Sequence, residues 1–315
     1  MLAHHDSEQF EVFGYYNNTK EDLTTKRLQR SVTHWVKCAD LSDEALADKI
    51  RQDGIDILVD LTGHNNKNRL LVFARKPAPV QVSYLGYSNT TGLTTIDYRL
   101  TDNWVEPSGV ADEFSSEKLV RLSNSYFCYR PAEESPEVNP LPALKNGYIT
   151  FGSFNNYGKL SPAILAIWAK VLQTVPNSKL LLKSKSLYDA LTRQALRKYF
   201  TDLGIESGRL IVADYTLTTE SHLRMYHQVD IGLDSYPYNG ATTTCEALWM
   251  GVPVVTLAGE KHISRMGTSI LSTVKLSELI AHTPAEYVDI CTKLANDTSL
   301  LQKVRGVTKC VIHRC

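Results

Sequence analysis

The feature that most constrains the fold is a regular alternation, in the second half of the chain, of short apolar segments with segments of helical periodicity. Short runs rich in Val, Ile and Leu are typical of buried strands. Strands are predicted at residues 149–154, 179–182, 210–213, 231–233 and 254–257, and helices at residues 162–174, 187–203, 220–227, 242–250, 264–272 and 284–295. Strands joined by crossover helices lie parallel in one sheet, so the pattern predicts an α/β fold.

The first half of the chain shows a weaker form of the same alternation. Strands are predicted at residues 10–16, 33–37, 57–61, 80–84 and 98–101, and an amphipathic helix at residues 42–51. Between the halves, four prolines stand among glutamates, a composition that suits a linker. We therefore predict two Rossmann-like lobes with parallel sheets, the first at residues 1–130 and the second from residue 148 onward, joined by a linker at 131–147.

Charge, hydropathy and cysteine spacing limit the binding partners and the cellular compartment that we expect for this chain. The 34 basic residues balance the 34 acidic ones, so no overall field attracts nucleic acid or an anionic membrane. We find neither a signal peptide nor an apolar run long enough to span a membrane. The six cysteines lack the spacing of a zinc site and are expected to be reduced thiols. We expect a cytoplasmic protein, or a nuclear one in a eukaryotic cell.

The loop that follows the predicted strand at 231–233 is the strongest candidate for ligand binding. In open parallel sheets, ligands bind beyond the carboxyl ends of the strands, where loops lead into helices. Here Asn239 and Gly240 precede Ala241, Thr242 and Thr243 at the predicted start of a helix. A glycine permits close backbone approach, a threonine can cap the helix, and free N–H groups at a helix start attract a diphosphate. An ordinary capped turn would have the same sequence.

Glu246 lies one turn inside that predicted helix. Its carboxylate is suited to accept hydrogen bonds from ribose hydroxyls, as acidic residues do in dinucleotide folds, or else to complement the helix dipole. The glycine patterns of dinucleotide and P-loop sites are absent, and so is the Asp-x-Asp pair with which many sugar transferases hold a metal. Without a metal, protein cations must stabilise the leaving group, and Lys159, after the predicted strand at 149–154, is the best candidate.

Five segments together resemble the catalytic region of the protein O-linked N-acetylglucosamine transferases and SPINDLY-like proteins, glycosyltransferase family 41. They are DGIDILVDLTGH at 53–64, PAPVQVSYLGY at 77–87, FNNYGK at 154–159, NGATTTCE at 239–246 and GEKHISR at 259–265. The resemblance extends from about residue 2 to residue 305, which implies that the second lobe covers residues 148–305 and that a divergent tail follows at 306–315. It implies a GT-B fold and an inverting transfer from a UDP-sugar to protein serine or threonine, with no metal.

The resemblance also implies roles for individual residues of the second lobe. Lys159 matches a lysine that contacts the β-phosphate, and Asn156 matches a polar residue that contacts the donor. Thr242 and Thr243 match threonines on the diphosphate, in the loop that also contains Asn239 and Gly240. His222 matches a histidine that stacks on uracil. Ala241 replaces a histidine of animal members, Glu246 replaces an aspartate that holds the ribose, and Thr219 replaces a lysine.

In the first lobe, Leu85 and Gly86 match a loop that lines the sugar pocket. The residues after them, Tyr87-Ser88-Asn89-Thr90, stand where the family usually has Pro-Gly. His64 is the histidine closest to the expected cleft, with either a direct catalytic role or a supporting one. A His-Pro segment and tetratricopeptide repeats normally precede this region, and a long helical tail follows it, so we expect the chain to be truncated at both ends.

The expected function is transfer of N-acetylglucosamine from UDP-GlcNAc to protein serine and threonine hydroxyls. The expected partners are a UDP-sugar and acceptor proteins, without nucleic acid, membrane, metal or cofactor. Two alternatives remain open. The chain is a module that binds a UDP-sugar without catalysis, or it uses another donor, as SPINDLY relatives use GDP-fucose and some bacterial relatives transfer glucose from UDP-glucose.

Overall fold

The chain forms two compact units. The computed structural model describes residues 2–312, without the side chains of Ala3 and of residues 307–312. The first unit contains the residues up to Thr101 and the segment Ser108–Leu122, and the second contains Asp102–Pro107 and the chain from Ser123 onward. The strands of each unit pair within that unit.

The first unit has a two-stranded and a four-stranded sheet. Its strands are β1 (Phe13–Tyr16), β2 (His34–Lys37), β3 (Ile57–Asp60), β4 (Val80–Ser83), β5 (Tyr98–Asp102) and β6 (Lys118–Leu122). Its helices are α1 (Leu23–Gln29), α2 (Asp43–Gln52) and α3 (Leu70–Ala74). β1 and β2 pair in parallel, and the larger sheet has the order β3-β4-β5-β6. Ser42 caps α2, whose buried face contributes Leu46 and Ile50 to a small core.

The second unit is built on one six-stranded parallel sheet. Its strands are β7 (Ile149–Ser153), β8 (Ser178–Leu182), β9 (Leu210–Val212), β10 (Ile231–Leu233), β11 (Val254–Leu257) and β12 (Ile280–Ala281), in the order β12-β11-β10-β7-β8-β9. The helices are α4 (Ala143–Asn146), α5 (Pro162–Thr174), α6 (Ala190–Asp202), α7 (Thr219–Arg224), α8 (Thr242–Trp249), α9 (Met266–Thr273), α10 (Pro284–Asn296) and α11 (Thr298–Ile312). β10 and β7 are central neighbours, so the loops that follow them meet at the same edge of the sheet.

The core of the second unit reaches the end of β10 through a chain of aromatic side chains. Trp168 on α5 and Tyr287 on α10 are both fully buried. The Trp168 indole donates to the Tyr287 hydroxyl at 3.3 Å, and that hydroxyl donates to the Asp234 carbonyl oxygen at 3.2 Å. Buried Trp and Tyr side chains need such partners. These bonds anchor the backbone that follows β10 to the two helices beneath it.

Most predicted elements of the second unit are present, and the differences have local causes. The predicted helix at 187–203 is interrupted because Asp189 accepts a hydrogen bond from the backbone N–H of Thr192 and so starts α6 anew after a 3₁₀ turn. The predicted helix at 220–227 becomes α7 and a 3₁₀ turn from Met225 to Gln228. β12 was not predicted because two residues are too short to show a period.

The segment predicted as linker packs onto the second unit, and the segment predicted as tail extends its last helix. Leu141, among the four prolines of residues 131–147, is 4% exposed and belongs to the core of the second unit. The backbone of residues 306–312 continues α11, while residues 313–315 lie outside the described part of the chain. Within residues 2–312, no helix has both the length and the apolar character needed to cross a bilayer.

Candidate functional site

A buried carboxylate organises the loop between β10 and α8. Asp234 follows β10 directly and is 1% exposed. Its side chain accepts hydrogen bonds from the backbone N–H groups of Ser235 at 2.9 Å and Gly240 at 2.6 Å, and from the Thr256 hydroxyl at 2.7 Å. Burial raises the pKa of Asp234 to about 6 although these donors oppose the rise. The loop is therefore drawn back onto the end of its own strand.

Gly240 is required by the packing of this loop. A Cβ atom at this position would lie 2.7 Å from the Thr244 hydroxyl oxygen and 2.9 Å from the Asn155 amide oxygen. Both distances are shorter than real Cβ contacts, so a side chain would push the loop outward. The close approach in this structure is to neighbouring protein groups, and the approach to a diphosphate stays a prediction.

Helix α8 begins without a side-chain cap. Its N-cap residue is Ala241, whose methyl group cannot accept a hydrogen bond, so the prediction that a threonine caps this helix is wrong. Thr242 and Thr243 are instead the first two helical residues, with Thr242 exposed. N–H groups in the first turn have no intrahelical acceptor and carry the positive end of the helix dipole. An uncapped helix start of this kind is suited to bind an anion.

Lys159 lies beside this helix start. Its ammonium donates to the Asn239 carbonyl oxygen at 3.0 Å and stands 3.9 Å from the centre of the Tyr238 ring. The Ser161 hydroxyl donates to the Tyr236 carbonyl oxygen at 2.7 Å, which ties the loop after β7 to the loop after β10. Burial lowers the pKa of Lys159, and the charge of Asp234 counteracts part of this effect. The structure thus brings together the cation and the helix start that the sequence predicted separately.

Asn239 and Asn156 have mainly structural contacts in this part of the site. Asn239 is fully buried, and its amide donates to the Ser235 carbonyl oxygen at 2.8 Å. Its backbone carbonyl holds Lys159, so its contribution to the site comes through the backbone. The exposed Asn156 accepts from the Gly158 N–H at 3.0 Å and caps the 3₁₀ turn that carries Lys159. Contacts of either side chain with a donor stay predictions.

His222 and Glu246 form a pair next to the uncapped helix. The Nε2 atom of His222, on α7, lies 3.1 Å from a carboxylate oxygen of Glu246, on α8. The other ring nitrogen, Nδ1, is bonded by the ammonium of Lys183. The rings of Phe154 and Tyr226 lie 5.9 Å from the imidazole, centre to centre. Glu246 was predicted to hold a ribose. In this structure its carboxylate contacts the edge of the His222 ring, on which the base is predicted to stack.

The remaining predicted residues belong to the first unit. His64 is exposed, and its Nε2 atom lies 2.8 Å from the Thr91 carbonyl oxygen. Because a carbonyl can only accept, Nε2 donates and Nδ1 carries the lone pair, as a base requires. Leu85 has a φ of 65° and is 40% exposed, and a Cβ on Gly86 would lie 1.9 Å from the Leu61 carbonyl oxygen. Asn65 links the two loops by donating to the Gly86 carbonyl oxygen at 2.6 Å.

Comparison with known proteins identifies the family. The family described as Glycosyl transferase family 41 matches residues 1–133 and 141–314. The chain belongs to glycosyltransferase family 41. A mutant of the Thermobaculum terrenum O-GlcNAc transferase superposes on it with a TM-score of 0.95 at 38% identity, over 99% of this chain and 59% of that one. The predicted GT-B class, α/β with two Rossmann-like lobes, is confirmed.

Two plant proteins of family 41 show how the chain relates to subgroups. A probable UDP-N-acetylglucosamine–peptide N-acetylglucosaminyltransferase SPINDLY of Solanum lycopersicum is 42% identical over 308 residues, 96% of this chain and 33% of the relative. The corresponding protein SEC of Arabidopsis thaliana is 34% identical over 312 residues, 96% of this chain and 31% of the relative. The chain therefore spans about a third of the length of the curated relatives that it matches.

The candidate site contains two residues that the sequence did not single out. Asp234 and Lys183 each follow the last residue of a buried strand, β10 and β8 respectively. A polar residue directly after an apolar strand was a usable signal, because that edge of a parallel sheet is where ligands bind. Among the side chains that the structure describes, no three His, Cys, Asp or Glu groups are placed to hold a metal ion. Metal-independent transfer stays a prediction.

Proposed function

We propose that this family-41 region transfers N-acetylglucosamine from UDP-GlcNAc to serine and threonine hydroxyls of proteins, with inversion and without a metal or other cofactor. The observation that supports the proposal best is the placement of the Lys159 ammonium against Asn239, at the uncapped start of α8. A cation and free backbone donors at one point fit the two phosphates of a nucleotide diphosphate.

The proposed chemistry is an in-line displacement. The acceptor oxygen forms a bond to the anomeric carbon while the bond from that carbon to the β-phosphate oxygen breaks, and UDP leaves with both electrons. Lys159, the first-turn N–H groups of α8 and the hydroxyls of Thr242 and Thr243 stabilise the charge that develops on UDP. A preorganised donor of this kind contributes about 3 kcal/mol to the transition state.

The proton of the acceptor hydroxyl needs a base, and we assign this role to His64. Its Nδ1 lone pair is the reason, because the bond from Nε2 to the Thr91 carbonyl fixes that tautomer. His64→Gln is expected to lower turnover by about a hundredfold, the usual contribution of a general base, and to leave UDP affinity within twofold of wild type. Equal turnover in H64Q and wild type would rule out His64 as the base.

GDP-fucose is a second candidate donor. The chain is more similar to the SPINDLY protein, at 42% identity, than to SEC, at 34%. It also has Ala241 and Thr219 in place of the histidine and lysine of animal members. The third possibility is a module that binds the donor without transferring a sugar.

One assay separates these candidates. Thermal shift and peptide transfer are measured with UDP, UDP-GlcNAc, UDP-glucose, GDP and GDP-fucose. The proposal expects stabilisation by UDP and transfer of N-acetylglucosamine to serine or threonine. Stabilisation by GDP and transfer of fucose would replace the donor, and binding without transfer to peptide or water would identify a silent module. No binding of any nucleotide would overturn the proposed function.

We propose that the physiological partners are a UDP-sugar and acceptor proteins, and not nucleic acid or a membrane. The equal numbers of basic and acidic residues support this, since the chain has no net positive charge that would attract nucleic acid or an anionic membrane. We also propose a cytoplasmic location, or a nuclear one in a eukaryotic cell. The buried Cys38 and Cys291 are free cysteines, which fits a reducing compartment.

A further inference from the structure

Lys183 is a buried lysine that no step of the proposed reaction uses. It follows β8 directly and is 6% exposed. Its ammonium donates to the Thr216 hydroxyl at 2.7 Å and to Nδ1 of His222, and it lies 5.7 Å from the centre of the Phe154 ring. A lysine is rarely buried to this extent unless its charge has partners. The partner of most interest is the imidazole.

The bond from Lys183 determines the proton positions on His222. An ammonium can only donate, so Nδ1 accepts and carries no proton. Nε2 therefore carries the ring proton and donates it to the Glu246 carboxylate at 3.1 Å. With both nitrogens bonded, the ring can neither flip nor change tautomer without losing a hydrogen bond. The edge of the ring is fixed, while about a quarter of the side chain, 26%, stays exposed.

The charged and titratable groups around Lys183 come from three elements. His222 faces it from α7, Glu246 from α8, and the Thr216 hydroxyl from the loop after β9. Burial lowers the pKa of Lys183 to about 8, and the carboxylate of Glu246 counteracts part of the shift. Lys183 is thus still mainly protonated at neutral pH, so the bond to Nδ1 is charge-assisted there.

We propose that Lys183 is a positioning residue of the nucleotide site. It holds His222 in the Nε2–H tautomer and in one ring plane, so that the base of the bound nucleotide meets a preformed stacking surface. This inference rests on the proposed function, because it takes the base to stack on His222. A fixed platform lowers the entropic cost of ordering the ring when the nucleotide binds.

The first test reads the tautomer without any ligand. ¹⁵N-detected NMR of the histidine side chains in the full chain is expected to show one protonated and one unprotonated nitrogen for His222 in wild type. In Lys183→Met, Nδ1 loses its hydrogen-bond donor, so its ¹⁵N signal is expected to shift while Nε2 stays protonated against Glu246. In Lys183→Arg, which can still donate, both signals should stay close to those of wild type. Lys185→Met is the matched control, since Lys185 is exposed two residues further along. A His222 signal that K183M leaves unchanged would overturn the proposal.

The second test measures binding of UDP and GDP by calorimetry at pH 7. K183M is expected to bind about tenfold more weakly, because the nucleotide must then order a ring that is no longer held in place, while K183R recovers most of the affinity and K185M equals wild type. In the His222→Ala background, K183M should cause no further loss, because Lys183 acts through the ring. An equal loss in both backgrounds would instead show direct contact of Lys183 with the nucleotide and overturn the positioning role.

The two tests distinguish failure of this inference from failure of the proposed function. Wild type that binds neither nucleotide would overturn both. Wild type that binds, with K183M binding equally well, would overturn only the role of Lys183. Thermal melting of K183M checks the fold, and no loss of stability is expected, because methionine has a similar length and removes a buried charge.

Discussion

The two units differ in how firmly they hold their candidate residues. In the second unit every residue of β7, β10 and β11 is buried, so helices cover both faces of the sheet where the loops begin. In the first unit β3 alternates, with Leu58 buried and Ile57 and Val59 56% and 42% exposed. His64 and Leu85, in the loops beyond, are exposed as well.

The proposed donor site is thus preorganised by the core of the second unit. Asp234 binds the Gly240 N–H and is connected through Tyr287 to Trp168, and Lys159 binds the neighbouring Asn239 carbonyl oxygen. The candidates of the first unit depend on loop contacts alone, such as the bond from Asn65 to Gly86. Substitutions in the second unit should therefore change nucleotide binding and stability together, except at groups that face the ligand.

Lys159→Ala is expected to have the largest effect. Removing the cation costs about 3 kcal/mol of transition-state stabilisation, or more than a hundredfold in kcat. The measurement is made once sugar transfer by the wild-type protein has been detected. The melting temperature should stay close to that of wild type, because Lys159 is a partly exposed group facing the ligand. Lys170→Ala, an exposed lysine on α5, is the control. Wild-type turnover in K159A would remove this lysine from the mechanism.

Asp234→Asn should lower both stability and nucleotide affinity. An amide places a donor against the Gly240 N–H or the Thr256 hydroxyl, and leaving buried donors unpaired costs about 2 kcal/mol. The pH dependence gives a second readout. The folded pKa of about 6 lies above the ordinary 3.8, so this group's contribution to wild-type stability falls as pH rises from about 4 to 6.

D234N lacks that titration. Chemical denaturation at pH 4, 5, 6 and 7 should therefore show the stability advantage of wild type shrinking between pH 4 and 6 and staying constant above. A constant advantage across the whole range would contradict the raised pKa of Asp234.

Gly240→Ala should weaken nucleotide binding and destabilise the second unit by about 1–2 kcal/mol, because the new Cβ overlaps the Thr244 hydroxyl and the Asn155 amide. Gly208→Ala is the matched control, since its added Cβ meets no atom within 4 Å. Equal melting temperatures for the two variants would show that the loop after β10 adjusts to a Cβ atom without loss of stability. The loop would then not be more rigidly held than the exposed loops of the first unit.

Lys183→Met should produce the smallest change, a gain in stability at neutral pH. The folded pKa of about 8 lies below the ordinary 10.5, so the buried charge costs stability below pH 8, and the cost disappears as pH rises toward 10.5. The melting temperature of K183M should exceed that of wild type at pH 7 and approach it at pH 10. A variant less stable than wild type at pH 7 would contradict this account.

The sequence predicted the elements with strong periods and the residues at their ends. Helix α5 and strands β10 and β11 were predicted with the observed bounds. The loop after β10 was chosen as the candidate ligand site from its position and its residue types, and binding of a ligand there stays a prediction. Asp234 and Lys183 were missed because their importance comes from burial and hydrogen bonds to segments distant in sequence. The threonine cap failed because propensity favours a capping side chain, whereas the backbone here places Ala241 at that point.

The uncapped start of α8 has an evolutionary consequence. The donors at this point are main-chain N–H groups, which every residue except proline supplies. Mutational drift at positions 241–243 can therefore alter the contacts made to the sugar while the diphosphate site persists. In the proposed function, the transferred sugar can therefore change through these side chains, whereas the proposed phosphate site depends on Gly240 and Asp234, which hold the backbone in place.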